Sequence, residues 1–104
     1  MVKCFELTEG MLPNLQSVHD DGVENLEDAR AVAYGEAEKR MNAPMLLGWY
    51  ARREGAFSPK VECCSDEKPG WVVYAESRGG SLTVDVNDGA YYFIYRDFPE
   101  DHGV

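Results

Sequence analysis

The chain has 104 residues, of which 44% are hydrophobic and 28% charged, and its formal net charge at pH 7 is −9. This length is typical of one domain, and the composition excludes a chain that stays disordered as a whole. No apolar run approaches the roughly 20 residues of a membrane span, and the first ten residues lack the apolar segment of an export signal. We therefore predict a cytoplasmic protein that binds no membrane.

The negative charge is concentrated in the first third of the chain. Seven acidic residues and no basic residue lie between Lys3 and Arg30. An anionic surface repels phosphate backbones, so nucleic acid is not an expected partner. The acidic block is typical of a solvated surface, and the alternative is a docking surface for a basic protein partner.

Residues 1–23 are predicted to contain a short N-terminal strand at 2–7, followed by an acidic loop at 9–23. The loop is rich in residues that favour turns, including Gly10, Pro13 and Gly22. A loop of this length in a small domain often has a function.

The segment from Asn25 to Met41 is predicted to form the one long helix. Asn25 is a residue type that caps helix N-termini, and Asp28 occupies the position of a capping-box partner. Small apolar residues recur at helical spacing and predict a narrow stripe that can lie close against a sheet. This stripe consists of Leu26, Ala29, Ala33, Ala37 and Met41.

Residues 45–96 are predicted to form the sheet, because the period of the apolar residues changes to two at Met45. After a weaker strand at 60–64, three strands are expected between Trp71 and Arg96, joined by turns at Gly79-Gly80 and Asp88-Gly89. Residues 97–104 form a polar tail. The predicted fold is a single α+β domain, an antiparallel meander of four or five strands with one long helix packed on one face.

The two turns fix a strand register if each has a two-residue loop. Val86 then lies opposite Tyr91, and Leu82 opposite Tyr95, so that both turns place apolar side chains on the same face. That face is predicted to be the core and to pack on the helix. Its members are Val73, Ala75, Leu82, Val84, Val86, Tyr91, Phe93 and Tyr95.

The opposite face of this predicted sheet carries the candidate site. Exposed apolar side chains among polar ones often mark an interface, and two neighbouring arginines suit a bound carboxylate or phosphate. Three explanations remain open: cover by another part of the chain, a homodimer interface, or a ligand or partner site. The candidate residues are Tyr74, Arg78, Tyr92, Ile94 and Arg96.

We therefore predict a non-catalytic protein-interaction or small-ligand-binding module that forms a homodimer through this second face. No nucleophile motif occurs in the sequence, so an enzyme is less favoured, and no cofactor is predicted. The alternative is a thiol protein that uses Cys63 and Cys64 for metal binding or redox chemistry. Adjacent residues of a strand point to opposite faces, which favours a structural role for this pair.

Overall fold

The computed structural model describes residues 12–52, 54–58 and 70–97. They form a small α+β domain in which a five-stranded sheet packs against one helix on each face. In chain order the elements are β1 (Leu15–Val18), α1 (Leu26–Glu38), β2 (Pro44–Ala51), β3 (Ala56–Ser58), α2 (Gly70–Ser77), β4 (Leu82–Val86) and β5 (Tyr91–Asp97).

The α+β class is confirmed, but the predicted antiparallel meander with one long helix is wrong. The strand order is β1-β4-β5-β2-β3, and the sheet is mixed because β1 runs parallel to β4. The described ranges contain two helices, and α2 interrupts the segment 45–96 that was expected to be sheet throughout. Neither helix has the length and apolar character needed to cross a membrane.

Helix α1 begins as its capping residues predict. The Asn25 side chain accepts a hydrogen bond from the Asp28 backbone N–H at 2.9 Å, and the Asp28 carboxylate accepts one from the Glu24 N–H at 3.0 Å. Ala29, Ala33 and Ala37 are fully buried against the sheet. Their small side chains let the helix lie close to strands β4 and β5.

The β4–β5 hairpin has the predicted register. Val86 pairs with Tyr91, Val84 with Phe93 and Leu82 with Tyr95. Asn87, Asp88 and Gly89 all have positive φ, the conformation that such hairpin turns require. We call the side of the sheet that these apolar residues share with the alanines of α1 the first face; all the hairpin residues on it are buried.

The segment 71–78 was predicted to be a strand, and this prediction is wrong. It forms α2, which buries Trp71, Val72 and Ala75 against Tyr92 and Ile94 of the sheet. We call this side of the sheet the second face. The local sequence is rich in residues that favour strands. A helix forms nevertheless, because a helix that covers the second face removes more apolar surface from water than another strand at the edge of the sheet would.

The Gly79-Gly80 pair ends α2 and does not form a hairpin. The Gly80 N–H donates to the Ala75 carbonyl at 2.9 Å and the Gly79 N–H to the Glu76 carbonyl at 3.0 Å, which together make a Schellman motif. Gly79 has φ of 92°, a conformation that residues with a Cβ rarely adopt. The Gly79-Gly80 pair, which follows an apolar segment, therefore marks the C-terminus of a helix in this protein.

Strand β1 lies within the segment that was expected to be a loop. Its pairing with β4 is extended at both ends, where the Thr83 N–H donates to the Asn14 carbonyl and the Asn87 N–H to the Val18 carbonyl. The strand predicted at 2–7 and the one predicted at 60–64 lie outside the described residues, as does most of the polar tail.

We predict that Gly80→Ala lowers the free energy of unfolding by about 1–3 kcal/mol. A Cβ at this position would lie 2.8 Å from Ile94 Cγ2 and 3.0 Å from the Ala75 carbonyl oxygen, so the end of α2 would have to move away from the sheet. Urea denaturation measures the change.

Gly35→Ala is the matched control, because a Cβ there meets nothing within 4 Å. In the middle of α1 it should raise the free energy of unfolding by roughly 0.5–1 kcal/mol. Equal effects of the two substitutions would contradict the packing of Gly80 against Ile94.

Candidate functional site

An open cleft of about 840 Å³ lies on the first face, between α1 and the start of β2. It is bordered by about two turns of the helix, by the first residues of the strand and by Tyr95 of β5. Its lining residues are Glu27, Asp28, Arg30, Ala31, Tyr34, Pro44, Met45, Leu46 and Tyr95.

Helix α1 supplies one wall of the cleft. Glu27, Arg30 and Tyr34 follow one another at intervals of three and four residues, so they share a stripe beside the buried alanines. The alanines hold this stripe close to the sheet. Tyr34 remains 41% exposed while its ring packs edge-on against Tyr95, with centroids 6.3 Å apart.

The opposite wall is the start of β2. Leu46 pairs with Tyr95, and the register shifts between Leu46 and Gly48. The Asp97 carboxylate accepts hydrogen bonds from the backbone N–H groups of Asn42 and Ala43, which anchors the connection between α1 and β2. The width of the cleft is therefore set by a short and well-anchored connection.

The Tyr95 hydroxyl is the unusual group of this site. Tyr95 is 1% exposed, and its hydroxyl oxygen is buried with no hydrogen-bond partner among the described residues. Among the described residues, the Thr83 hydroxyl is in the same condition, but Thr83 lies on the second face and does not line the cleft. A buried hydroxyl without a partner costs about 1–3 kcal/mol, so a partner for Tyr95 would recover free energy.

The electrostatic surroundings keep Tyr95 protonated. Burial raises the pKa of its phenol above the usual value of 10.0, the Arg30 guanidinium acts to lower it, and the Tyr34 phenol acts to raise it further. At neutral pH the hydroxyl is therefore a neutral donor, close enough to Arg30 and Tyr34 to respond to both.

Arg30 is the basic residue of the cleft, and its guanidinium has no carboxylate partner within the described ranges. The ion pairs there join Glu36 to Lys39 and Arg40, and His19 to Asp21. Arg30 is exposed to solvent, and Glu27 lies one helical turn before it on the same stripe of α1. The cleft thus brings together a cation and a carboxylate that form no ion pair among the described residues, and a buried hydroxyl donor, on apolar walls.

The structure does not bring the predicted site residues together on an open face. Tyr92 and Ile94 are buried beneath α2, so the expectation that they are exposed on the second face is wrong. The Arg96 guanidinium donates to the Arg78 carbonyl at 3.0 Å at the end of α2, and the Arg78 guanidinium lies 4.7 Å from the centre of the Tyr74 ring. These arginines have structural partners, and none of the five predicted residues lines the cleft.

Cys63 and Cys64 lie outside the described residues, and so their predicted metal or redox role stays a prediction. Within the described ranges, no three His, Cys, Asp or Glu side chains are grouped as a metal ion would require. The aromatic side chains near α2 stack on one another, Tyr50 with Trp71 at 5.9 Å and with Tyr92 at 6.5 Å.

Sequence reasoning missed the cleft, although part of its signal was present. Tyr95 was correctly assigned to the first face, but the sequence does not show whether its hydroxyl finds a partner. The stripe of Glu27, Arg30 and Tyr34 follows from the same helical period that predicted the alanine stripe beside it. No local sequence pattern shows that this stripe lies close to Tyr95.

Comparison with known proteins places the chain beside proteins of an archaeon. A family model described as "Domain of unknown function (DUF5619)" matches residues 13–95. A relative from Archaeoglobus fulgidus, described as an uncharacterized protein, is 39% identical over 69 residues, which cover 66% of this chain and 72% of the relative. The crystal structure of the A. fulgidus protein AF1514 has a TM-score of 0.71 and 29% identity and covers 86% of this chain and 100% of its own.

We predict that Tyr95→Phe changes the alkaline stability of the protein. Because the pKa of Tyr95 is raised on folding, the unfolded chain loses this proton first as the pH rises above 10.0. The free energy of unfolding of the native sequence should therefore fall above that pH with an added slope of up to about 1.4 kcal/mol per pH unit. Denaturation series at several alkaline pH values measure this slope.

The Tyr95→Phe variant should lack this added slope and should be as stable as the native sequence, or more stable by about 1 kcal/mol, near neutral pH. Identical slopes in the two proteins would mean that folding does not raise the pKa of this phenol, and a large loss of stability at neutral pH would mean that the hydroxyl has a partner in the folded chain.

Proposed function

We propose, for a chain that belongs to the family described as Domain of unknown function (DUF5619), that it is a non-catalytic module which binds a small organic molecule in the α1–β2 cleft. The single observation that carries this proposal is the Tyr95 hydroxyl, which is buried beside the cleft and has no hydrogen-bond partner in the described part of the chain. A ligand acceptor that reaches it, after a small movement of the cleft wall, would satisfy it.

The size and lining of the cleft support this function. Small-molecule sites are commonly about 300–1,000 Å³ in volume, with apolar walls and a few polar groups that orient the ligand. The α1–β2 cleft combines Ala31, Leu46 and the Tyr34 ring with the polar groups of Arg30 and Tyr95. Helix α1 and strands β2 and β5 supply all of these residues, so the backbone of the site is already in place, and only side chains must move for a ligand to reach the buried hydroxyl.

A binding role fits the polar groups better than a catalytic one. The raised pKa makes Tyr95 a poor base at neutral pH, and the Asp28 carboxylate is engaged by the Glu24 N–H. Glu27 is exposed on the surface of α1. The cleft therefore offers hydrogen-bond donors and charges but no activated nucleophile.

A homodimer through the second face has lost its main support. Tyr92 and Ile94 are covered by α2 of the same chain, which leaves Tyr74, Arg78 and Arg96 near the end of that helix. Light scattering of the purified protein tests whether a dimer forms in another way. The thiol alternative at Cys63 and Cys64 is tested by thiol titration of the native and the denatured protein, together with metal analysis.

We predict that small monocyclic fragments shift the amide resonances within residues 27–34 and 44–46, where every residue except Pro44 has an amide proton. Phenol, benzamide, benzoate and benzylamine are suitable probes, because each combines an apolar ring with one polar group. Amide NMR at millimolar fragment concentration detects the shifts. Ala31→Phe should abolish them, because the added ring occupies the cleft from an exposed helix position.

Val73→Phe is the matched control. Val73 is 37% exposed on α2, on the other side of the sheet, so the same kind of ring is added away from the cleft. Fragment shifts should persist in this variant. The proposal fails if no fragment affects residues 27–34 and 44–46, or if Ala31→Phe leaves the shifts unchanged.

A further inference from the structure

We infer that the cleft recognises a small zwitterion, a molecule that carries a carboxylate and an ammonium group on an apolar body, as a free amino acid does. This inference rests on the proposed function, because it names the ligand class of the same site. Three features of the cleft carry it: the Arg30 cation with the Tyr95 hydroxyl near it, the Glu27 carboxylate one helical turn before Arg30, and the apolar walls.

The centre of the cleft suits a carboxylate. Arg30 has no carboxylate partner in the described ranges, and a guanidinium binds carboxylate oxygens through paired hydrogen bonds. The Tyr95 phenol lies near it, protonated and without an acceptor. A carboxylate in the cleft can pair with the exposed guanidinium, and because the Tyr95 hydroxyl is closed to solvent, it reaches that donor only after a small movement of the cleft wall.

The N-terminal end of the cleft suits an ammonium group. Glu27 lines the cleft, is exposed and makes no ion pair within the described part of the chain. Arg30 follows Glu27 by a step of three residues along the helix, a rise of about 4.5 Å along the axis. The charged groups of one small molecule can therefore reach both residues.

A zwitterion fits the charge of the chain better than a simple anion does. The chain carries a net charge of −9, and Glu27 and Asp28 both line the cleft, so a molecule with negative charge alone is repelled as it approaches. A molecule with positive charge alone would leave the Arg30 guanidinium and the Tyr95 hydroxyl without an acceptor. Only a ligand with both charges satisfies every polar group of the site.

The apolar part of the ligand has its own place. Leu46 and Ala31 line the cleft beside the ring of Tyr34, which is 41% exposed. An aliphatic or aromatic side chain would cover this ring and gain free energy from the apolar surface removed from water. The inferred ligand is therefore an amino acid with an apolar side chain or a close analogue of one.

The test compares three probes that share one phenyl ring. L-phenylalanine has both charged groups, phenethylamine lacks the carboxylate, and hydrocinnamate lacks the amine. Titrations followed by amide NMR at low salt and neutral pH give the affinity of each for the cleft. We expect the affinity of L-phenylalanine to be at least about tenfold higher than that of either analogue, because each analogue loses hydrogen bonds to a charged group.

Single substitutions test which residue binds each charged group of the ligand. Arg30→Gln should remove the preference for L-phenylalanine over phenethylamine, whereas Arg78→Gln, the same change of charge beside α2, should keep it. Glu27→Gln should remove the preference over hydrocinnamate, whereas Glu38→Gln at the other end of α1 should keep it. Tyr95→Phe should weaken binding of L-phenylalanine by a few-fold.

The outcomes separate the ligand class from the function of the cleft. If hydrocinnamate or phenethylamine shifts residues 27–34 and 44–46 and binds as tightly as L-phenylalanine, the zwitterion inference is overturned and the small-molecule function stands. If none of the three probes shifts these resonances, the inference is overturned again, and the monocyclic fragments then decide whether the cleft binds small molecules at all.

Discussion

All side chains from Tyr91 to Tyr95 are buried, so strand β5 needs apolar cover on both faces of the sheet. This requirement organises the rest of the domain. The tyrosines and phenylalanine on the first face pack against the alanines of α1, and Tyr92 and Ile94 on the second face pack against α2. A sheet with one solvated face would leave these two side chains in water, at a cost of a few kcal/mol in lost apolar burial.

The same arrangement determines where a ligand can bind. The second face is closed by Trp71, Val72 and Ala75, whose helix meets the sheet without space for a Cβ at Gly80. On the first face the small residues of α1 fill the space beneath the helix, but the stripe beside them is bulkier and polar. The cleft opens where that stripe faces β2, and the last tyrosine of the buried run ends there with its hydroxyl unsatisfied.

The sequence predicts the elements whose signals are local and misses those that depend on tertiary packing. Asn25 and the alanine spacing locate α1, and the Asp88-Gly89 turn gives the register of the β4–β5 hairpin correctly. The segment of α2 is rich in residues that favour strands, and its helix exists because Tyr92 and Ile94 need cover. The Gly79-Gly80 pair fits a hairpin and a helix C-terminus equally well until the partner of the segment is known.

The candidate site shows the same limit. Alternation within β5 identifies Tyr92 and Ile94 as a second apolar face, but it does not distinguish cover within the chain from cover by a partner. Helical periodicity places Glu27, Arg30 and Tyr34 on one stripe. Whether the Tyr95 hydroxyl finds a hydrogen-bond partner depends on how β5 packs against α1, and no pattern within a single segment shows this.

The conformation of residues 70–77 in solution, read from Cα chemical shifts together with nuclear Overhauser contacts, shows directly whether α2 covers the second face. We expect helical shifts throughout the segment and contacts between the methyl groups of Val72 and Ile94. Strand-like shifts, with Ala75 instead in contact with Val84 across a hairpin, would contradict the closed second face and the assignment of ligand binding to the first.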